Sequence, residues 1–143
     1  MDNRQLNFSH LLYLTAHHWR LAVNRRLKNL GLSQASWVAV ASIARHQQPL
    51  SQSELAQELG VESPTIVPLI HRLVALGLVE RITTASDKRK RLLVVTDKGK
   101  ALYEQVKTVA DDLREEILTA ITPQEQEQTQ RVLEKLLREV EKK

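Results

Sequence analysis

The sequence predicts a mainly α-helical chain with one small β-hairpin, and three observations lead there. Two short helical patterns meet at a glycine mid-chain, one from Ser51 to Gly60 and the next from Ser63 to Leu76. Two short strand patterns with a polar, basic loop between them follow at once, Leu78 to Ile82 and Arg91 to Val95. On both sides lie long stretches with apolar residues every three or four positions, the period of an amphipathic helix. Helix, tight turn, helix and hairpin make a winged helix-turn-helix, and the terminal helices are expected to form a homodimer interface.

Composition sets the limits. The chain has 143 residues, enough for one structural domain, with 42% hydrophobic and 27% charged residues, ordinary values for a globular protein. No apolar run is long enough to span a bilayer, and Met1-Asp-Asn-Arg does not open a secretory signal, so no membrane partner and a cytoplasmic location are expected. Cysteine is absent, which removes disulfides, thiolate metal sites and thiol-based oxidant sensing.

Residues 3 to 30 contain neither proline nor glycine and place Leu12, Ala16, Trp19, Val23, Leu27 and Leu30 at helical spacing. Leu11, Leu14, Leu21 and Ala22 widen that face beyond what one small core needs, which points to a second chain against it. Gly31 should close this helix. Ser33 can cap the next, which carries Trp37, Val38, Val40, Ala41 and Ile43 to His46, with Pro49 beyond its end.

Ser51 and Glu54 form a capping box, so a helix should open there, bury Leu55, Ala56 and Leu59, and stop at Gly60. Ser63 is expected to cap the second helix, with Pro64 at its first position, where a missing N–H is harmless. Ile66, Leu69, Ile70, Leu73 and Leu76 mark its inner side. Its other face is Ser63, Pro64, Thr65, Val67, Pro68, His71 and Arg72, and the small polar groups among them suit a helix that approaches base edges in a major groove. After the hairpin, Thr96 can cap a helix running through Leu102, Val106, Val109, Leu113 and Ile117 to Ile121. Thr122-Pro-Gln-Glu125 then starts a last helix with Val132, Leu133, Leu136, Leu137 and Val140 on one side.

Charge adds a function to this outline. The whole chain is only +4, but residues 81 to 100 hold seven basic residues against Asp87 and Asp97, a net +5, while residues 111 to 143 come to −3. A basic patch beside a groove-sized helix is the footprint of phosphate contact, so double-stranded DNA is the expected partner. The wing candidates are Asp87, Lys88, Arg89, Lys90 and Arg91. The chain then divides into an N-terminal dimerisation helix (1–32), a winged helix-turn-helix DNA-binding region (33–97) and C-terminal dimerisation helices (98–143), one structural domain in total.

Leu55-Ala-Gln-Glu-Leu-Gly60, Leu76-Gly-Leu-Val-Glu-Arg81 and Asp87-Lys-Arg89 before an apolar strand ending in Thr96 resemble the MarR family of winged-helix regulators. Leu27-Lys-Asn-Leu-Gly-Leu-Ser-Gln-Ala-Ser-Trp37 and Ala85-Ser-Asp-Lys-Arg89 are similar to its SlyA branch. The resemblance implies terminal helices interdigitated about a two-fold axis, matching a pseudo-palindromic operator. It implies Arg89 as a wing arginine entering an A/T-rich minor groove, with Asp87 as its ion-pair partner, and a transcriptional regulator acting as repressor or anti-silencing activator. It also implies a small aromatic carboxylate as effector, near His17, Arg20 and Trp37; no cofactor and no metal are expected. Position 68 departs from the SlyA pattern, which has a groove-reading arginine where this chain has Pro68.

Two other readings compete. Phosphate-loop, Gly-x-Ser-x-Gly and His-Glu-x-x-His motifs are all missing, so an enzyme is not expected. A dimeric winged-helix protein-interaction module that has lost specific DNA readout is the stronger alternative; Pro68 favours it, and Asp87, Arg89 and the basic hairpin oppose it.

Overall fold

The computed structural model describes residues 7–83, 86 and 91–143. Among these are six α-helices, one 3₁₀ turn and three short strands, in two compact units, Met1–Val109 and Ala110–Lys143. The first unit holds α1 (Phe8–Arg26), the 3₁₀ turn (Lys28–Leu30), α2 (Gln34–Arg45), β1 (Leu50–Ser51), α3 (Gln52–Leu59), α4 (Ser63–Ala75), β2 (Val79–Thr83), β3 (Arg91–Val95) and the first half of α5 (Asp97–Leu118). The second holds the rest of α5 and α6 (Pro123–Glu141).

Local sequence signals account for most element ends. The Ser51 side chain accepts from the Glu54 amide at 3.1 Å while Glu54 accepts from the Ser51 amide at 3.1 Å, the reciprocal box that starts α3. Thr122 and Glu125 do the same for α6. Ser33 caps α2 through the Ser36 amide. Gly60 adopts φ 71°, and the Val61 and Gly60 amides return to the carbonyls of Ala56 and Gln57, a left-handed stop that forces the tight turn into α4.

Several expected boundaries move. The first helix does not run on to Leu30: α1 ends at Arg26, where the Leu27 amide is shared between the carbonyls of Val23 and Asn24, and the chain tightens into the 3₁₀ turn that Gly31 closes. Its expected start at residue 3 lies outside the described residues; Asn7 caps the helix at Phe8 through the His10 amide. Ser63 is not the cap of α4. Glu62 takes that place without a side-chain hydrogen bond, because the Thr65 amide closes the first turn on the Glu62 carbonyl. Helix α4 stops at Ala75, so Leu76 leaves the inner face and is 40% exposed. Helix α5 ends at Leu118, short of Ile121: the amides of Thr119, Ala120 and Ile121 bond carbonyls three residues back, and Thr122, before a proline, is extended (ψ 159°). Strand β2 begins at Val79, one residue later than the pattern suggested.

The sheet has the order β1-β3-β2, antiparallel throughout, with Leu50 opposite Leu93 and Arg81 opposite Leu93 on the other side. Strand β1 was not expected. The core of this unit gathers Val40 and Ile43 of α2, Leu55 of α3, Ile66, Ile70 and Leu73 of α4, Val79 of β2 and Leu93 of β3, all buried. Helix α4 is thus clamped along one side only. Among the described residues no helix is long and apolar enough to cross a membrane.

Candidate nucleic-acid interface

Ile66, Ile70 and Leu73 recur at helical spacing and are at most 1% exposed, which fixes the rotation of α4 about its axis. Ser63, Pro64, Thr65, Val67, Pro68, His71 and Arg72 consequently all face outward and are all exposed. At about 100° per residue, Pro64 and Pro68 stand most directly opposite Ile66, Ile70 and Leu73, with His71 and Arg72 beside them and Thr65, Val67 and Ser63 toward the flanks. The centre of the face is therefore mixed, two prolines beside an imidazole and a guanidinium. Arg72 lines a cleft of about 390 Å³ together with Leu76, Leu78, Lys98 and Leu102.

Pro68 stands inside α4 without breaking it. Having no N–H, it cannot bond the Pro64 carbonyl, and because both residues are exposed that carbonyl can turn to water.

The far end of α4 is anchored by a knot of polar contacts. Gly77 takes φ 76°, and the amides of Gly77 and Leu78 bond the carbonyls of Val74 and Leu73. Lys98 donates from Nζ to the Leu76 carbonyl at 2.9 Å, a cation at the negative end of the helix dipole.

The hairpin rises from Thr83 opposite Arg91, and Arg91 is exposed. Asp87, Lys88, Arg89 and Lys90 lie outside the described residues. The expectation that the positive charge sits at the wing needs correction for three members of the set, since Lys100 lies on α5. Arg81 is turned toward α3, donating from Nε to Gln52 Oε1 at 3.3 Å, and Lys98 caps α4. Both are close in sequence to the loop, but stand at the base of the hairpin and beyond it.

The three residues expected near an effector are brought together only in part. Arg20 lines a cleft of about 480 Å³ between α2 and the helix-turn-helix, with Ala35, Val38, Val61, Thr65, Ile66 and Leu69 among its walls. Trp37 is not among the wall residues but meets Arg20: the Arg20 guanidinium carbon lies 5.7 Å from the centre of the indole ring, while Trp37 is 7% exposed and donates from Nε1 to Asn24 Oδ1 at 3.1 Å. His17 is exposed on α1, stacked on Tyr13 at 5.5 Å between ring centres, and is not among the residues of the cleft wall. Sequence reasoning missed Thr65, Ile66 and Leu69 as wall residues, since only the fold shows that α4 turns its flank toward this cleft.

Two helices crossing at a left-handed glycine, an exposed second helix and a three-stranded sheet define a winged helix-turn-helix protein. The family model for the MarR family matches residues 30–90. The solved structure of the transcriptional regulator PA3341 is 39% identical, with a TM-score of 0.88 over 96% of this chain and 100% of that one. MarR from E. coli, in its apo form, is 27% identical with a TM-score of 0.80 over 92% of this chain and 98% of that one. MepR from S. aureus, solved as a DNA complex, shares the fold at 23% identity with a TM-score of 0.80 over 94% and 99%. The chain belongs to the MarR family of transcriptional regulators.

Proposed function

We propose that this regulator binds double-stranded DNA as a homodimer, lays α4 in the major groove and sets its hairpin in the adjacent minor groove. The observation that carries this is the exposed face of α4 from Ser63 to Arg72, left free by a helix buried along its opposite side. The solved DNA complex of MepR, a protein of the same fold, supports the reading. Within the family we place the chain nearest the SlyA branch, on the segments Leu27–Trp37 and Ala85–Arg89. Arg89 is assigned to a narrow, A/T-rich minor groove, where negative potential is enhanced. Asp87 orients it, and Lys88, Lys90 and Arg91 are assigned to phosphates.

Dimerisation is assigned to residues 1–32 and 98–143. Phe8, Leu11, Leu12 and Tyr13 of α1 are 41–66% exposed, and Val132, Leu133, Leu137 and Val140 of α6 are 40–67% exposed. Each set repeats at helical spacing, an uncovered apolar stripe of the kind a second chain covers. Two-fold symmetry then suits a pseudo-palindromic operator.

The cleft beside Arg20 is our assignment for a small aromatic carboxylate, with the guanidinium as its charged partner and apolar walls for its ring. Because Thr65, Ile66 and Leu69 belong to α4, an occupant there bears directly on the DNA-facing helix.

The test is a binding isotherm of the purified protein on its own promoter fragment and on a scrambled fragment, across a salt series. Preferential binding that falls linearly in log–log terms with salt, and drops about tenfold with Arg89→Ala, about 1.4 kcal/mol, is the expected result. Equal, weak binding to both fragments would overturn the proposal and favour a protein-interaction module.

A further inference from the structure

We propose that Arg72 is the specificity-determining residue of α4, reading a guanine in the major groove; this rests on the DNA-binding reading above.

Rotation of the helix places it. With Ile66, Ile70 and Leu73 buried, Pro64 and Pro68 stand most directly opposite the core, and His71 and Arg72 come next, one on either side. The most outward positions of a helix lying in a groove go deepest. Here they carry two compact rings and nothing long, so the helix can settle until His71 and Arg72 meet the groove floor. Side chains on a helix lean toward its N-terminus, over the preceding turn. An arginine at 72 can thus cover the ground beside position 68, four residues back, where Pro68 supplies no donor of its own.

Chemistry then singles it out. Guanine shows two acceptors in the major groove, N7 and O6, and the arginine fork meets both at once. Among the outward residues from Ser63 to Arg72, only Arg72 carries such a fork. Ser63 and Thr65 offer hydroxyls, which discriminate little between bases, and the His71 ring nitrogens point apart and meet one base atom at a time.

The guanidinium is also uncommitted. Arg72 is exposed and has no hydrogen-bond or ion-pair partner among the described residues. It lines the cleft with Lys98, no carboxylate stands on that wall, and Lys98 is itself held by the Leu76 carbonyl. The cleft thus offers Arg72 like charge and no anion. Arg81 makes the contrast, since its guanidinium is tied to Gln52. For Arg72, entering the groove breaks no hydrogen bond or ion pair to the described residues, so both bonds to guanine count toward binding.

The experiment compares two versions of the promoter fragment, one with guanine and one with 7-deazaguanine throughout. The second replaces the major-groove N7 acceptor by C–H and keeps every Watson–Crick pair and phosphate. Losing one bond of the pair should weaken the parent protein about threefold in each half-site, so about tenfold for a dimer. Arg72→Ala should bring the ratio between the two fragments toward one, at unchanged melting temperature because the side chain is exposed. Arg72→Gln should move the base selected at that step from guanine to adenine, which a glutamine matches. Arg89→Ala should weaken both fragments equally and leave the ratio unchanged. If instead Arg72→Ala weakens both fragments equally and lowers the salt slope by about one per protomer, Arg72 meets a phosphate. That result, or a parent ratio of one, overturns the guanine proposal and leaves the DNA-binding reading standing. Loss of all preference over scrambled DNA overturns both.

Discussion

Thr96 donates its hydroxyl hydrogen to the carbonyl oxygen of Gly77 at 2.6 Å, and the same hydroxyl oxygen accepts from the Gly99 amide at 3.0 Å. One side chain therefore caps α5 and holds the chain just past the end of α4. The Thr96 amide adds a bond to the Leu78 carbonyl at 3.1 Å. The C-terminal end of the outward-facing helix and the first turn of α5 are thus tied to one another.

Removing that hydroxyl should be felt as the loss of a helix cap. Thr96→Ala is expected to lower stability by about 0.5–2 kcal/mol, seen as a lower urea midpoint, whereas Thr96→Ser should stay near the parent because it keeps both bonds. Equal losses in the two variants would mean that the threonine methyl, and not the hydroxyl, matters here.

Gly99 is held to glycine by the same knot. A Cβ at this position would fall well inside the van der Waals shell of the Leu78 carbonyl oxygen and also press on the Val95 side chain. A backbone oxygen cannot swing away as a flexible side chain can, so Gly99→Ala should cost about 1–3 kcal/mol and lower the melting temperature. Gly31→Ala makes a useful comparison, because nothing lies near its Cβ and only its positive φ of 71° opposes the substitution.

Much of this framework was legible in the sequence because it is local. The capping boxes at Ser51 and Thr122, the cap at Ser33 and the left-handed glycines at 31, 60 and 77 each depend on neighbours within a few positions. Strand β1 was not legible: two residues carry no period, and Leu50 and Ser51 become a strand only because Leu93 and Leu92 lie opposite. The exact end of α1 was hidden for a similar reason, since nothing in the apolar repeat distinguishes an α turn from the 3₁₀ turn that follows Arg26. The outward residues of α4 could be enumerated beforehand, but their joint chemistry could not. Burial of Ile66, Ile70 and Leu73 fixes which residues stand nearest the centre, and these are Pro64 and Pro68 with His71 and Arg72 beside them.

The apolar stripe of α6 gives the proposed dimer its test. Leu133 and Leu137 are 40% and 60% exposed in the single chain. Leu133→Glu combined with Leu137→Glu would place two carboxylates in a closely packed interface, and the mass measured by sedimentation equilibrium should fall from dimer toward monomer. Helix α6 itself should persist, since its capping box is untouched and glutamate favours helix. An unchanged dimer mass would remove α6 from the interface.

Geometry also sharpens the effector test. Trp37→Ala is a poor probe, because truncating a buried tryptophan costs about 3–5 kcal/mol and would confuse ligand effects with unfolding. Arg20→Ala and Trp37→Phe are better: the first removes the cation on the cleft wall, and the second weakens the ring that holds that cation while keeping much of the volume. With salicylate as the probe, Arg20→Ala should lose most of the ligand-induced release from DNA and Trp37→Phe part of it, at unchanged melting temperature without ligand. Full release in both variants would put the effector elsewhere.

Position 68 offers the most direct test of whether the exposed face of α4 approaches the bases. Pro68→Arg restores the missing N–H, so α4 should be stabilised, by up to about 3 kcal/mol if the full interior penalty applies and by less this near the first turn. It also places a guanidinium at the centre of the exposed face, where a bidentate contact to guanine contributes about 1–3 kcal/mol of discrimination. Selection from a randomised duplex pool should therefore shift toward guanine at the base steps opposite position 68. The two effects are separable: thermal melting reports the helix, and the selected sequence reports the groove. A more stable protein with an unchanged base preference would show that position 68 does not approach the bases and that Pro68 affects only the helix that carries it.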